Sequence, residues 1–201
     1  VDVNGDGRPD LAVVMIGTGA DLARTLSLPP SVQQQVARAG KSGTRVIDAG
    51  RTDFLDDAGQ PRTRHFVNVA GFGLSGATDR IVNSRRWVRS LGSKVAFQLG
   101  VAQALLRWRN QPVAIQVDDA AEFTVTAKLG AIANGCWFGG GMRIAPGAAL
   151  DDGLLDVVIV GDVSAATLVR RLPMVYRGEH VTLPEVRVMR GRMIVARPAT
   201  A

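Results

Sequence analysis

The hydrophobic pattern divides the chain into a short first part and a longer second part. Residues 11–16 form an uninterrupted apolar run, which predicts a strand buried on both faces. Gly17-Thr18-Gly19 interrupts this run, and residues 20–28 predict a helix that ends at Pro29-Pro30. Residues 31–40 predict a second short helix. The first part therefore has the pattern that ends an α/β unit.

Strands and turns dominate the second part, which begins at about residue 46. Residues 113–117 and 123–129 predict a hairpin around Asp118-Asp119, and residues 131–133 and 154–160 predict apolar strands flanking a glycine-rich loop. Ser164 is a favourable N-cap for a helix that extends to about residue 176. Further elements are predicted at 65–70 (a strand), at 87–108 (a long helix with Val95, Leu99, Ala102 and Leu106 on one face) and on both sides of Arg190-Gly191 (two strands).

These elements predict an α+β, mostly β fold class in two units. Residues 1–45 would be the C-terminal part of an α/β domain, and residues 46–201 a β-rich domain with inserted helices. Hydrophobic residues make up 46% of the chain and charged residues 21%, which excludes a disordered chain. No apolar stretch approaches the roughly 20 residues that a membrane-spanning helix needs. The single cysteine, Cys136, rules out an internal disulfide and fits a reducing, cytoplasmic location.

The net charge of +6 favours an anionic partner, and arginine supplies nearly all of it. Anionic lipid headgroups and polyphosphates both fit such a charge, although the preference for arginine over lysine can equally reflect genome composition. Nucleic acid is not expected as a partner. The chain has no zinc-ligand set, no RNA-binding aromatic motif, and few, scattered aromatic residues.

Three segments combine residues that could carry chemistry. Gly17-Thr18-Gly19-Ala20-Asp21 lies between the predicted strand and helix, where backbone N–H groups can approach an anion, and Arg24 lies one turn further on. The run 134–142 contains three consecutive glycines, which indicate either a tight connection or the close approach of a ligand. Residues 150–156 place Asp151, Asp152 and Gly153 before a strand, as either a cation site or a polar turn.

Taken in order, these segments resemble the diacylglycerol kinase catalytic-domain family of bacterial lipid kinases. The similarity rests on Gly-Thr-Gly-x-Asp-Leu-Ala-Arg-Thr-Leu from residue 17, Phe-x-Asn-x-Ala-Gly-Phe-Gly from residue 66, Ala-Asn-Gly from residue 133, Phe-Gly-Gly-Gly-Met-x-Ile-Ala-Pro-x-Ala from residue 138, and Leu-Asp-Asp-Gly-Leu-Leu-Asp-Val-Val from residue 150. It extends from about residue 11 to about residue 195.

The resemblance implies an NAD-kinase-like nucleotide domain before residue 46 and a β-sandwich substrate-side domain after it, with the active site in the cleft between them. It implies magnesium-dependent transfer of the γ-phosphoryl group of ATP to a lipid hydroxyl at the membrane surface. Nucleotide contacts fall on Gly17, Thr18, Gly19, Asp21 and Arg24, and a structural Mg²⁺ falls on Asp152 with the carbonyl groups of Ala149 and Leu154. A cytoplasmic, membrane-peripheral location is expected, and a homodimer is left open.

The sequence also departs from the family pattern. Ala20 stands where the family has an asparagine, and the chain contains neither the Gly-Gly-Asp-Gly-Thr motif that holds ATP phosphates nor the Asp-Gly-Glu motif that supplies the general base. We therefore expect an incomplete copy, cut at both ends and without a catalytic residue of its own. The alternative is a non-catalytic lipid- or partner-binding module derived from such a kinase.

A rival interpretation concerns residues 2–10, Asp-Val-Asn-Gly-Asp-Gly-Arg-Pro-Asp, which match a calcium loop with alternating oxygen ligands. An EF-hand is excluded because its twelfth position is Val13 rather than glutamate. A surface loop is the plainer interpretation. His65 and His180 lack a partnering ligand cluster, and Cys136 lacks an activating histidine, so all three are expected to be structural.

Overall fold

A computed structural model describes residues 12–16, 20–39, 43–84, 103–105 and 107–199. The calcium-loop interpretation of residues 2–10 lies outside these residues, as does most of the predicted helix 87–108, of which residues 103–105 and 107 are helical. Among the described residues, no helix combines the length and the apolar character that crossing a membrane requires.

Two short helices form the described N-terminal part, α1 (Asp21–Thr25) and α2 (Val32–Ala39). Residues 12–16 form no strand, contrary to the prediction from their apolar run. A strand needs a neighbour to receive its backbone hydrogen bonds. Here the backbone N–H of Met15 donates instead to Oε1 of the buried Gln35 side chain, at 2.8 Å. The division into domains at residue 45 remains a prediction.

Nine strands and two further helices are described from residue 50 onward. The strands are β1 (Gly50–Leu55), β2 (Pro61–Phe66), β3 (Val69–Gly73), β4 (Gln111–Val117), β5 (Phe123–Ala127), β6 (Leu129–Ala133), β7 (Leu155–Val160), β8 (Val186–Gly191) and β9 (Ile194–Pro198). The helices are α3 (Leu74–Ser84) and α4 (Ala165–Arg177), and a 3₁₀ turn spans Glu179–Thr182.

The strands form three antiparallel sheets, ordered β3-β6-β7-β8, β5-β4-β9 and β1-β2. Val157 and Ile159 of β7 pack with β4 and β5, whereas Val158 and Val160 join the cluster on the opposite face, with Leu74 and Val175 from α3 and α4. Strand β7 is therefore buried on both faces, and Asp156 alone interrupts its apolar sequence. The mostly β fold class is confirmed.

Several predicted elements are confirmed closely. The β4–β5 hairpin turns at residues 118–120, β6 pairs with β7, and β8 and β9 lie on either side of residue 192. The Ser164 side chain caps α4 by accepting a hydrogen bond from the Thr167 backbone N–H at 3.1 Å. One prediction is wrong. Residues 65–70 do not form one strand but contain the end of β2 and the start of β3, which pair with different neighbours.

Candidate functional site

The three consecutive glycines form the turn of a small hairpin, which we call the glycine hairpin (residues 138–142). Phe138 and Met142 exchange two backbone hydrogen bonds, of 2.9 and 3.0 Å. Between them Gly139, Gly140 and Gly141 have φ angles of 61°, 85° and 109°. Side chains other than hydrogen rarely allow such left-handed angles in succession, so the turn conformation itself requires the glycines.

Helix α1 is attached to the glycine hairpin by one aspartate. Asp21 Oδ2 accepts a hydrogen bond from the backbone N–H of Gly140 at 2.8 Å, and Asp21 Oδ1 pairs with Arg24 Nη1 at 2.8 Å. The Asp21 side chain is only 15% exposed, so water competes weakly for these contacts. The Arg24 guanidinium also lies against Gly141, where a Cβ atom would come within 3.6 Å of Arg24 Cζ. A carboxylate and a guanidinium therefore cover the glycine hairpin from one side.

A second connection joins α1 to the same loop through Asn68. Thr25 Oγ1 donates to Asn68 Oδ1 at 3.2 Å, and Asn68 Nδ2 donates to the Trp137 carbonyl at 2.8 Å. The Asn68 carbonyl accepts from the backbone N–H groups of Asn134 and Gly135, at 2.8 and 2.9 Å. Asn68 thus holds both the helix and the loop, and we call the assembly of α1, Asn68 and residues 134–142 the junction.

Asn134 and Gly135 form the buried side of the junction. Asn134 is fully buried, and its Nδ2 donates to the carbonyl groups of Asp48 and Val67, at 2.8 and 3.1 Å. Gly135 has no room for a side chain, because a Cβ atom there would press against Asn68 Oδ1 and lie 2.8 Å from Thr25 Cγ2. The buried amide of Asn134 therefore accounts for the asparagine, and the close approach of Asn68 and Thr25 accounts for the glycine at position 135.

The structure brings two of the five predicted nucleotide contacts to the junction. Asp21 and Arg24 both contact the glycine hairpin, whereas Gly17, Thr18 and Gly19 lie outside the described residues. Ala20, in the position where the family resemblance implies asparagine, adopts φ 45° at the start of α1. An arginine held beside a glycine turn can bind a phosphorylated ligand. The assignment of nucleotide contacts remains a prediction.

The predicted cation site is an acidic turn that arginines already neutralise. Asp152 Oδ1 accepts from the Leu154 backbone N–H at 3.0 Å, and Asp152 Oδ2 pairs with Arg190 Nη2. Arg190 Nε also pairs with Asp156 Oδ2 at 3.2 Å. Burial raises the pKa of the Asp156 carboxyl, and the charge of Arg190 opposes that rise. One guanidinium therefore bridges two carboxylates.

This arrangement does not fit a divalent cation at Asp152. The Arg190 guanidinium lies against Asp152 Oδ2, where a cation would have to bind, and its positive charge would repel Mg²⁺ or Ca²⁺. Within the described part of the chain, no group of three or more His, Cys, Asp or Glu side chains could hold a metal ion. The assignment of Mg²⁺ to Asp152, Ala149 and Leu154 stays a prediction, and it would require Arg190 to leave.

The remaining titratable groups near the junction have structural roles. Burial raises the pKa of the Cys136 thiol, whose Sγ donates to the Ala148 carbonyl at 3.2 Å. His180 is 2% exposed, its Nε2 lies 3.0 Å from the Ile144 carbonyl oxygen, and burial lowers its pKa. The Arg143 guanidinium lies over the Trp137 ring at 5.7 Å. A half-buried thiol with a raised pKa and a buried imidazole with a lowered pKa fit packing rather than catalysis.

A cavity of about 340 Å³ lies between β1 and β9, and none of the junction residues line it. Its walls include Arg51, Phe66, Ile132, Arg192 and Ile194. It is therefore separate from the candidate site.

Sequence reasoning missed three residues that hold these sites together. Asn68 was visible within the Phe-x-Asn motif, but nothing in the sequence says that it contacts α1. Arg190 contacts Asp152 across 38 positions, and the carboxylate of Asp48 accepts a hydrogen bond from the Gly153 N–H across 105 positions. No sequence signal links such distant positions, because only the pairing of strands and loops brings them together.

Comparison with known proteins finds diacylglycerol kinases among the relatives of this chain. The chain is 30% identical over 185 residues to a diacylglycerol kinase of Mycobacterium tuberculosis and 29% identical over 177 residues to one of Bacillus subtilis. These alignments cover 92% and 88% of this chain but 58% and 54% of the relatives, so the chain spans little more than half of their length.

A solved structure shows the same fold. A diacylglycerol kinase from Bacillus anthracis str. Sterne superposes with a TM-score of 0.60 at 21% identity, covering 96% of this chain and 57% of that one. A family model described as the YegS C-terminal NAD kinase beta sandwich-like domain matches residues 68–200, about two thirds of the chain. The resemblance inferred from the motifs is therefore confirmed, and this chain belongs to the YegS C-terminal NAD kinase beta sandwich-like domain family.

Proposed function

We propose that this chain is the substrate-side part of a lipid kinase that transfers the γ-phosphoryl group of ATP to the hydroxyl group of a diacylglycerol-like lipid. The observation that carries the proposal is the junction, in which Asp21 of α1 bonds to Gly140 of the glycine hairpin. Two segments that the sequence separates by more than a hundred residues thus form one polar surface. The names of the relatives, diacylglycerol kinases, support the lipid as acceptor.

In this proposal the residues of the chain position and neutralise charge, since phosphoryl transfer depends mainly on both. Asp21 fixes α1 against the glycine hairpin, and Arg24 places a guanidinium beside it. Asp21 and Arg24 cover one side of the glycine turn, and the glycines themselves add no side chain that would obstruct a ligand. Bound Mg²⁺–ATP would supply the transferable phosphoryl group and the metal charge that offsets it.

The same proposal places the protein in the cytoplasm, at the membrane surface, where its acceptor lipid lies. A net charge of +6 favours association with anionic headgroups. Assembly as a homodimer is compatible with this proposal. If the chain has instead kept only binding, it would associate with diacylglycerol-containing vesicles without phosphate transfer.

The test is a kinase assay on the natural polypeptide that contains this chain, with γ-labelled ATP and diacylglycerol in mixed micelles. The Asp21→Asn variant should lower kcat/KM by at least tenfold, because it weakens the charge that holds α1 and Arg24 in place. Asp57→Asn is the matched control, since Asp57 forms an exposed pair with Arg80 away from the junction residues. Absence of lipid phosphorylation by the unaltered polypeptide would refute the proposal and favour the binding module.

A further inference from the structure

We propose that the guanidinium of Arg190 neutralises the carboxylates of the acidic turn 151–156. It occupies the place that a divalent cation would take, so the folded chain needs no metal ion there. The turn joins residue 150 to strand β7 and carries Asp151, Asp152 and Asp156. Three carboxylates so close in sequence would repel one another unless positive charge lies among them. The structure supplies that charge from β8.

The position of Arg190 follows from strand pairing. Arg190 is the cross-strand partner of Asp156 in the β7–β8 ladder, so their side chains leave the same face of the sheet. Its Nε contacts Asp156 Oδ2 at 3.2 Å, and its Nη2 contacts Asp152 Oδ2. A guanidinium presents its donors in a rigid planar fork, which suits two carboxylates better than a lysine ammonium group would.

The Arg190 guanidinium stands where an ion would have to approach the two carboxylates. Asp152 uses its second oxygen to accept from the Leu154 backbone N–H, which closes the turn. The side chain of Asp156 is only 5% exposed, so its charge could not be left to water. The Arg190 guanidinium therefore supplies the positive charge that a bound cation would otherwise have to supply.

Two further contacts within the chain hold the rest of the turn in place. Asp151 Oδ2 pairs with Arg45 Nη2 at 3.0 Å, and the Gly153 backbone N–H donates to Asp48 Oδ2 at 2.7 Å. Both partners come from the segment that precedes β1. That segment is held in turn by the hydrogen bond from the Asp48 N–H to the Leu150 carbonyl, at 2.6 Å. The turn therefore has protein partners on two sides.

Removing Arg190 should uncover a cation site. In Arg190→Gln, the buried Asp156 carboxylate loses its charged partner while Asp152 remains within the same turn. Carboxylates brought together without a counter-charge bind a hard cation through their oxygens and neighbouring carbonyl groups. The variant should therefore be less stable in EDTA and recover part of that loss with Mg²⁺ or Ca²⁺.

The experiment compares thermal melts of the 201-residue chain in EDTA with melts at MgCl₂ or CaCl₂ concentrations that rise in 10-fold steps. The unaltered chain should keep the same Tm under all conditions. Arg190→Gln should melt several degrees lower in EDTA and regain part of the difference with the cation, and Asp152→Asn/Arg190→Gln should regain none. Arg45→Gln is the matched control, because it removes a neighbouring exposed arginine pair and should show neither effect.

Three results would overturn the proposal. The first is a Tm that rises with Mg²⁺ in the unaltered chain but not in Asp152→Asn, which would make Asp152 a metal ligand. The second is an Arg190→Gln variant as stable as the original. The third is a destabilised variant that ignores both cations. If Arg190→Gln does not fold, calorimetric titration of the unaltered chain with MgCl₂ decides, and heat that disappears in Asp152→Asn contradicts the proposal.

Discussion

Asp21 and Gly140 lie 119 positions apart in the sequence, and the carboxylate of the first accepts a 2.8 Å hydrogen bond from the backbone N–H of the second. This contact joins the helix after the Gly-Thr-Gly segment to the three-glycine turn. It makes one site out of two motifs that are individually weak evidence. Its removal should therefore affect both stability and the geometry of the junction.

Replacing Asp21 by alanine should lower the free energy of unfolding by about 0.5–1.5 kcal/mol, because the Gly140 N–H group and the Arg24 guanidinium lose this mostly buried carboxylate as an acceptor. Urea denaturation followed by circular dichroism measures the change. Asp57→Ala should change stability by less than about 0.5 kcal/mol, since that side chain is 80% exposed. Equal effects of the two variants would show that the contact does not hold the junction.

Replacing Gly135 by alanine should separate α1 from the loop. The added methyl group would press on Asn68 Oδ1 and on the Thr25 side chain, so overpacking should cost about 1–3 kcal/mol. Gly43→Ala is the control, because no atom lies within 4 Å of its Cβ position. Differential scanning calorimetry of both variants tests this, and an unchanged Tm in Gly135→Ala would contradict the close approach.

His180 should make the stability of the chain depend on pH on the acid side. Burial lowers its pKa in the folded state, whereas the unfolded chain takes up a proton at about pH 6.5. Below that pH the unfolded state binds more protons, so the free energy of unfolding falls as the pH drops from about 6.5 towards the lower folded pKa. Above it, the group adds no pH dependence.

His180→Gln should flatten this part of the stability profile, because glutamine can still donate to the Ile144 carbonyl but does not titrate. Urea unfolding between pH 5 and 8 measures the difference. His65→Gln serves as the control for replacing a histidine, since His65 lies in the exposed hairpin strand β2. A slope that survives in His180→Gln would assign the acid sensitivity to other groups.

The isolated 201-residue chain should show no measurable kinase activity on diacylglycerol. The sequence has neither the Gly-Gly-Asp-Gly-Thr motif nor the Asp-Gly-Glu motif, so the phosphate cradle and the general base are both missing from it. Transfer of labelled phosphate from Mg²⁺–ATP to lipid in micelles is the measurement. Turnover above that of an Asp152→Ala control would contradict this expectation.

Local patterns in the sequence determined much of the β-rich part. The mostly apolar residues 154–160 predicted a strand, and Asp118-Asp119 predicted the β4–β5 turn, because side-chain polarity and turn preference act over a few residues. The same reasoning failed for residues 12–16, which are apolar but have no strand beside them among the described residues. It also missed α3, whose first residues follow directly from β3.

The sequence by itself determined the fold class, the family and the importance of three glycine- and aspartate-rich segments. Only the tertiary structure decided that Asp21 meets Gly140, that Asn68 connects α1 to the loop, and that Arg190 lies between two carboxylates. The physical reason is the distance along the chain over which each kind of interaction acts. Propensity and polarity act between neighbours along the chain, whereas the partner of a buried charge is whichever group the pairing of distant strands brings within 3 Å.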